Sequence, residues 1–162
     1  MTTPTPRRSL QETLDRSLEK AGAAIKATFG RPDRRLNDAA FREFWKATRM
    51  FAVATNGENG VPHIAPVHVM LRDDDDLEMA IFEDSVRLTD LRRDPQIAIT
   101  TWGEGGAVAI VYGRCSEVEG SRREVNPGGN PELRRYVLTM RIEMLRAYAM
   151  KPAPRPAEAA PG

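Results

Sequence analysis

The segment DSVRLTDLRRDP, residues 84–95, carries arginines at both ends of one short helical pattern. Asp84 or Ser85 is a suitable N-cap, Leu88 and Leu91 share a face, and Asp94-Pro95 stops the run, which predicts a helix over residues 86–93. Arg92 and Arg93 fall in its last turn, where a cation complements the negative end of the helix dipole. Arg87 falls in the first turn, where free NH groups and the dipole already make a positive field. A cation there costs about a few tenths of a kcal/mol unless an anion joins it. Two sources of that anion are open. Glu83 or Asp84 could supply it from the chain, or a bound phosphate could be held by the NH groups, the Ser85 hydroxyl and the Arg87 guanidinium.

The remaining chemistry-bearing residues point to less. His63 and His68, five apart on one strand, face opposite ways and cannot share a metal, and His63 reads as a hairpin surface residue. The run Asp73–Asp76 lacks the alternation and the glycine of a calcium loop and reads as a solvated turn. No metal site is expected. Cys115 has no activating neighbour and reads as a buried strand thiol, and no histidine near Ser85 suggests a hydrolase triad.

The chain that must position these residues has 162 of them, one domain's worth, with ordinary globular composition. A net charge of +1 gives no reason to expect nucleic acid or an acidic membrane as partner. The one cysteine cannot form an internal disulfide, no run approaches the roughly 20 apolar residues of a membrane span, and the start has no signal-like apolar stretch. A cytoplasmic location is the resulting expectation.

Along the chain, residues 1–8 and 151–162, rich in Pro, Ala and charge, read as disordered tails. Residues 9–36 read as an extra helix and linker. Ser9 and Glu12 form a capping box, Leu10, Leu14, Leu18, Ala21, Ile25 and Phe29 form a narrow stripe, and Gly30 and Pro32 end one helix over 10–29. Such a helix needs cover and is expected to pack across the domain or a dimer seam. A second helix starts at Asn37 or Asp38 and runs to about Thr48, with Phe41, Phe44 and Trp45 on one face. From Met50 the period becomes two. MFAVATN and VPHIAPVHVML flank GENG as a hairpin, and LEMAIFE, QIAITTW and AVAIVYGRCSEVEG are further strands, the last two joined by GEGG. The segment ELRRYVLTMRIEMLRAYAM fits a helix stripe slightly better than a strand.

The order of these features, a Gly-x-Pro hairpin, a strand, a Ser-x-Arg helix, Arg-Asp-Pro and another strand over about residues 41–120, resembles the split β-barrel flavoproteins related to pyridoxamine 5′-phosphate oxidase, which also include deazaflavin-dependent reductases. The resemblance implies an α+β, mainly β fold: a six-stranded antiparallel split β-barrel over residues 37–150, with N-terminal helices and a short helix between strands 3 and 4. It turns the C-terminal segment into a closing strand from about Val137. It implies that Ser85 and Arg87 hold a cofactor phosphate, that Val67 and His68 contact the cofactor ring, that Ala80 and Ile81 offer backbone contacts, and that Trp102 lies near the cleft. The cofactor implied is FMN, or alternatively the deazaflavin coenzyme F-420, in a homodimer whose clefts are each built from two subunits.

The chain departs from the vitamin-salvage oxidases at Ala65, Met70 and Val86, where those enzymes carry basic residues, so a phosphate would be held by fewer charges; its end also lacks their pyridoxamine-phosphate substrate motif, so pyridoxamine-phosphate oxidation is not expected. The leading expectation is a flavin- or deazaflavin-dependent oxidoreductase that passes hydride to a small organic substrate. The alternatives are a non-catalytic flavin- or haem-binding module, or an interaction domain with an empty cleft.

Overall fold

Ser9 and Glu12 close the capping box that opens the first helix in the computed structural model, which describes residues 7–154. Residues 1–6 and 155–162, most of the two expected tails, lie outside the described residues. The single helix expected over 10–29 is two: α1, Leu10–Glu19, and α2, Ala23–Phe29, separated at Gly22, which is extended. Around Ala21-Gly22 the stripe has no large side chain to hold a continuous helix on its support, and glycine favours the break. α3 spans Asp38–Ala47, with the Asn37 side chain accepting from the Ala40 N–H. Its buried Phe41 and Trp45 stack, Trp45 stacks in turn on Phe51, and the Trp45 indole N–H donates to the Val69 carbonyl at 3.0 Å.

The strands are β1 Phe51–Asn56, β2 Pro62–Val67, β3 Met70–Leu71, β4 Leu77–Phe82, β5 Gln96–Trp102, β6 Val108–Glu117, β7 Arg123–Val125 and β8 Arg135–Met150, with α4, Val86–Arg93, between β4 and β5. All pairings are antiparallel, in the order β2-β1-β5-β6-β8-β4-β3, and β7 pairs with β8. Eight strands thus replace the expected six. The second arm of the first hairpin divides at His68-Val69, and β7 forms in a stretch with no strand pattern of its own. β2 and β3, the two ends of the sheet, are joined by only those two residues. The sheet therefore curls, its two ends linked by the chain but not paired, which is a mainly β, split-barrel arrangement.

β8 starts at Arg135, close to the expected Val137. Its helical stripe loses to tertiary pairing, because β4 bonds one edge and β6 the other while Leu138, Met140, Ile142 and Met144 alternate into the core. The β6–β8 register shifts beside Gly113, where a Cβ would lie 2.7 Å from the Glu143 carbonyl oxygen. The Ala147 N–H next to this shift donates to Ser17 Oγ of α1 at 2.9 Å. Leu10 and Leu14 belong to the same core cluster as the sheet. α1 therefore packs on β8 as an integral layer, despite its narrow stripe.

Candidate functional site

The site lies where the sheet fails to close. β3 pairs with β4 only at Met70–Glu78 and Leu71–Leu77. Continued by two residues, the register would set Val69 against Met79 and His68 against Ala80, then Val67 against Ile81. No bridge forms there, so β2 keeps only β1 as partner and Met79–Phe82 keep only β8. Pro66 suits this position, because a residue without an N–H belongs on an unpaired edge. Val67 is half-buried against the core, His68 and Ala80 are exposed, and Ile81 is buried. Four of the expected site residues thus lie along two strand edges that no ladder joins.

β4 runs from this gap into α4. Ser85 is the N-cap, its hydroxyl accepting from the Arg87 N–H at 3.3 Å. Arg87 is half-buried, and its Nη1 is wholly buried without a hydrogen-bond partner among the described residues. Burial pulls its guanidinium below the ordinary value. The carboxylates that could have neutralised it are engaged elsewhere: Glu83 with Arg122 at 2.9 Å, Asp84 with Arg135 at 3.6 Å. Of the two anion sources open in the sequence, Glu83 and Asp84 therefore do not serve Arg87. A buried unpaired donor on a cation is rare and calls for a partner. A guanidinium nitrogen left without a partner at the positive end of a helix, next to the Ser85 hydroxyl, fits a phosphate.

The other end of α4 is saturated. Arg92 pairs bidentately with Glu117 at 2.6 and 3.2 Å, which pushes its guanidinium up, and Arg93 donates to the Asn56 carbonyl at 2.5 Å. Between the ends sits Asp90, 2% exposed, which accepts from Thr55 Oγ1 at 2.9 Å and lies 2.6 Å from His63 Nδ1. Burial alone would raise the Asp90 carboxyl. The hydrogen bonds from His63 and Thr55 and the Arg93 charge outweigh it and hold the group below the ordinary carboxylate range. His63 is thus no free surface residue. A carboxylate one turn after Arg87, in register with the inward Leu91, was the available signal.

Trp102 stands apart from these groups. At 70% exposure it walls an apolar cleft of about 520 Å³ with Met50, Ala52, Ile64 and Pro66, on the outer face of the sheet. Continuing the β1 registers places Met50 between Trp102 and His68, a separation of roughly 10 Å for two strand spacings. Tyr112 lies on the same face under the Arg146 guanidinium. The aspartate run is a turn that is solvated only at its start: Asp73 and Asp74 are exposed, but the next two are not. Asp76 is buried between Arg7 and Arg141, and Asp75 pairs with Arg42 and accepts from the Leu10 N–H at the start of α1. These charges fasten the N-terminal helix to the β3–β4 turn. Cys115 is buried, its thiol pushed up to about 12 by burial.

Residues 38–154 match the family profile described as pyridoxamine 5′-phosphate oxidase. The chain belongs to this family. The profile spans α3 through β8 and so takes in the split, α4 and the Trp102 cleft. Solved structures share the fold of this pyridoxamine 5′-phosphate oxidase family member at low identity. A conserved hypothetical protein from Mycobacterium tuberculosis is 18% identical, with a TM-score of 0.61 over 75% of this chain and 88% of that one. The haem storage protein HutZ from Vibrio cholerae is 13% identical, with a TM-score of 0.54 over 70% and 94%. An FAD-binding protein from Mesorhizobium loti is also 13% identical, with a TM-score of 0.51 over 71% and 93%. No curated protein sequence matches the chain. Among the described residues no helix is long and apolar enough to cross a membrane.

Proposed function

We propose that this protein binds a flavin-type cofactor, FMN or the deazaflavin, and uses it to transfer hydride to a small organic acceptor. The observation that carries the reading is the buried, partnerless Nη1 of Arg87 at the N-terminus of α4, beside two unpaired strand edges. Arg87 and the Ser85 hydroxyl, at the positive end of α4, would hold the cofactor phosphate. The edges at Val67, His68, Ala80 and Ile81 would receive the flat ring, and Trp102 would wall the apolar cleft next to it. A bound flavin supplies the hydride chemistry, and the chain supplies position, exclusion of water and charge. Val86, Ala65 and Met70 leave the cofactor phosphate with fewer cations than the vitamin-salvage oxidases provide, and the end of the chain lacks their substrate motif, which argues against pyridoxamine phosphate as substrate.

The same reading includes a homodimer. The outward positions of β1, β2 and β5, from Ala52, Ala54 and Asn56 to Pro62, Ile64, Pro66, Ala98 and Trp102, carry no charge, and Ile64 and Trp102 are each 70% exposed. An uncharged, exposed apolar face of this kind suits a second copy related by a two-fold axis.

The cofactor is tested by incubating the purified protein with FMN, the deazaflavin or haem, removing the excess and recording the visible spectrum. Retention of a flavin-type chromophore is expected, and retention of haem alone would favour the non-catalytic haem-binding alternative. Turnover is tested by mixing the reduced, loaded protein with quinone and nitroaromatic acceptors. Reoxidation faster than that of free cofactor is expected, and none faster would favour a non-catalytic carrier.

A further inference from the structure

The Asp90 cluster has no place in the chemistry above, yet it joins the elements that frame the site. α4 is eight residues long and buries only Leu88 and Leu91 as apolar side chains, so neither its own length nor its packing fixes its angle closely. Asp90 adds directional bonds. Its buried carboxylate is gripped by Thr55 of β1, by His63 of β2 and, at 3.4 Å, by Arg93 of its own helix. His63 reaches it because position 57 is glycine: a Cβ there would lie 2.9 Å from the imidazole Cε1 and 2.0 Å from the Val61 carbonyl oxygen. β2 thus carries the clamp at His63 and the open edge at Val67, while α4 carries the clamp at Asp90 and the orphaned guanidinium one turn earlier.

We infer that Asp90, held by His63 and Thr55, is a positioning residue that sets how the Ser85–Arg87 turn faces the open edge of β2. An apolar side chain at position 90 would serve packing as well, since a buried carboxylate gains little net stability even when paired. What apolar packing would not supply is a fixed orientation of the helix relative to β2. The inference rests on the phosphate reading of Arg87.

The test compares FMN with riboflavin, which lacks the phosphate, by fluorescence quenching in wild type, Arg87→Ala, Asp90→Ala, His63→Leu and His63→Asn. A merely structural defect weakens both flavins alike, whereas a misaimed phosphate turn lowers the preference for FMN. His63→Leu and Asp90→Ala are expected to lose about tenfold in FMN preference, the scale of one mis-set hydrogen bond to a charged group. His63→Asn keeps a donor near Nδ1 and should restore most of it. Because His63 is partly exposed, its variants remain informative if Asp90→Ala does not fold. Arg87→Ala losing the preference while both His63 variants and a folded Asp90→Ala keep it would overturn the positioning role and leave the phosphate site standing. No loss in Arg87→Ala would overturn both.

Discussion

The two ends of α4 carry the same residue type in opposite states. At the C-terminal end Arg92 meets Glu117 and Arg93 meets the Asn56 carbonyl, and the helix dipole adds to both. At the N-terminal end Arg87 opposes the dipole, is half-buried and leaves a guanidinium nitrogen without a partner. Folding alone accounts for the first pair. It does not account for the second, because an unmade hydrogen bond on a buried cation costs stability that an apolar residue would not. The saturated end belongs to the scaffold, and the unsaturated one is what the proposed phosphate site rests on.

The contrast can be sharpened first by removing a region that belongs wholly to the scaffold. Deleting residues 1–30 uncovers β8, strips Leu10 and Leu14 from the core and leaves the Ala147 N–H without Ser17. Burial of two leucines is worth about 3–6 kcal/mol, so the melting temperature should fall by roughly 10 °C or more. Any folded fraction should keep its preference for phosphorylated flavin, and loss of that preference would make the helix part of the site. Next comes Arg87→Ala, which should weaken FMN by about 10- to 100-fold, as a charge-assisted bond to phosphate is worth about 1.5–3 kcal/mol. Unchanged affinity in a fluorescence titration would remove Arg87 from the site.

A smaller effect follows from Asp90. Its carboxyl titrates below the unfolded value of about 3.9. The associated stability is therefore present above that value and is lost as pH falls through the folded pKa. In urea unfolding, the difference between wild type and Asp90→Asn should shrink as the pH is lowered from about 5 to about 2, and a difference independent of pH would contradict the assignment. The smallest effect is expected from Arg92→Ala, which removes one exposed ion pair and should leave the melting temperature nearly unchanged. Its FMN affinity should hold, and a tenfold drop would show that the wrong end of the helix has been chosen.

Local signals made the positions of most elements legible. The Ser9–Glu12 box, the Asn37 cap, the Gly-rich turns and the alternation of Leu77, Met79 and Ile81 act over a few residues and survive folding unchanged. β8 was legible only through the family resemblance, since its side-chain stripe suits a helix and its strand state comes from β4 and β6 on either side. The break at Gly22, the interruption at His68-Val69 and the short β7 depend on what each segment meets in space. Within the site, Ser85 and Arg87 stood out because a cation in a first helical turn is a local anomaly. Asp90 did not, because its partners Thr55 and His63 are 35 and 27 residues away. Trp102 was placed near the cleft by resemblance, and register sets it two strands from His68.

The central claim, that the α4 N-terminus is built for a cofactor phosphate, is tested most directly on the unmodified protein. FMN and riboflavin titrated side by side, at low and at high salt, share one ring and differ only in the phosphate. Binding of FMN at least about tenfold tighter than riboflavin, the difference narrowing as salt screens the contact, is the predicted result. Equal affinities for the two flavins would contradict the account and leave the Arg87 guanidinium without an explanation.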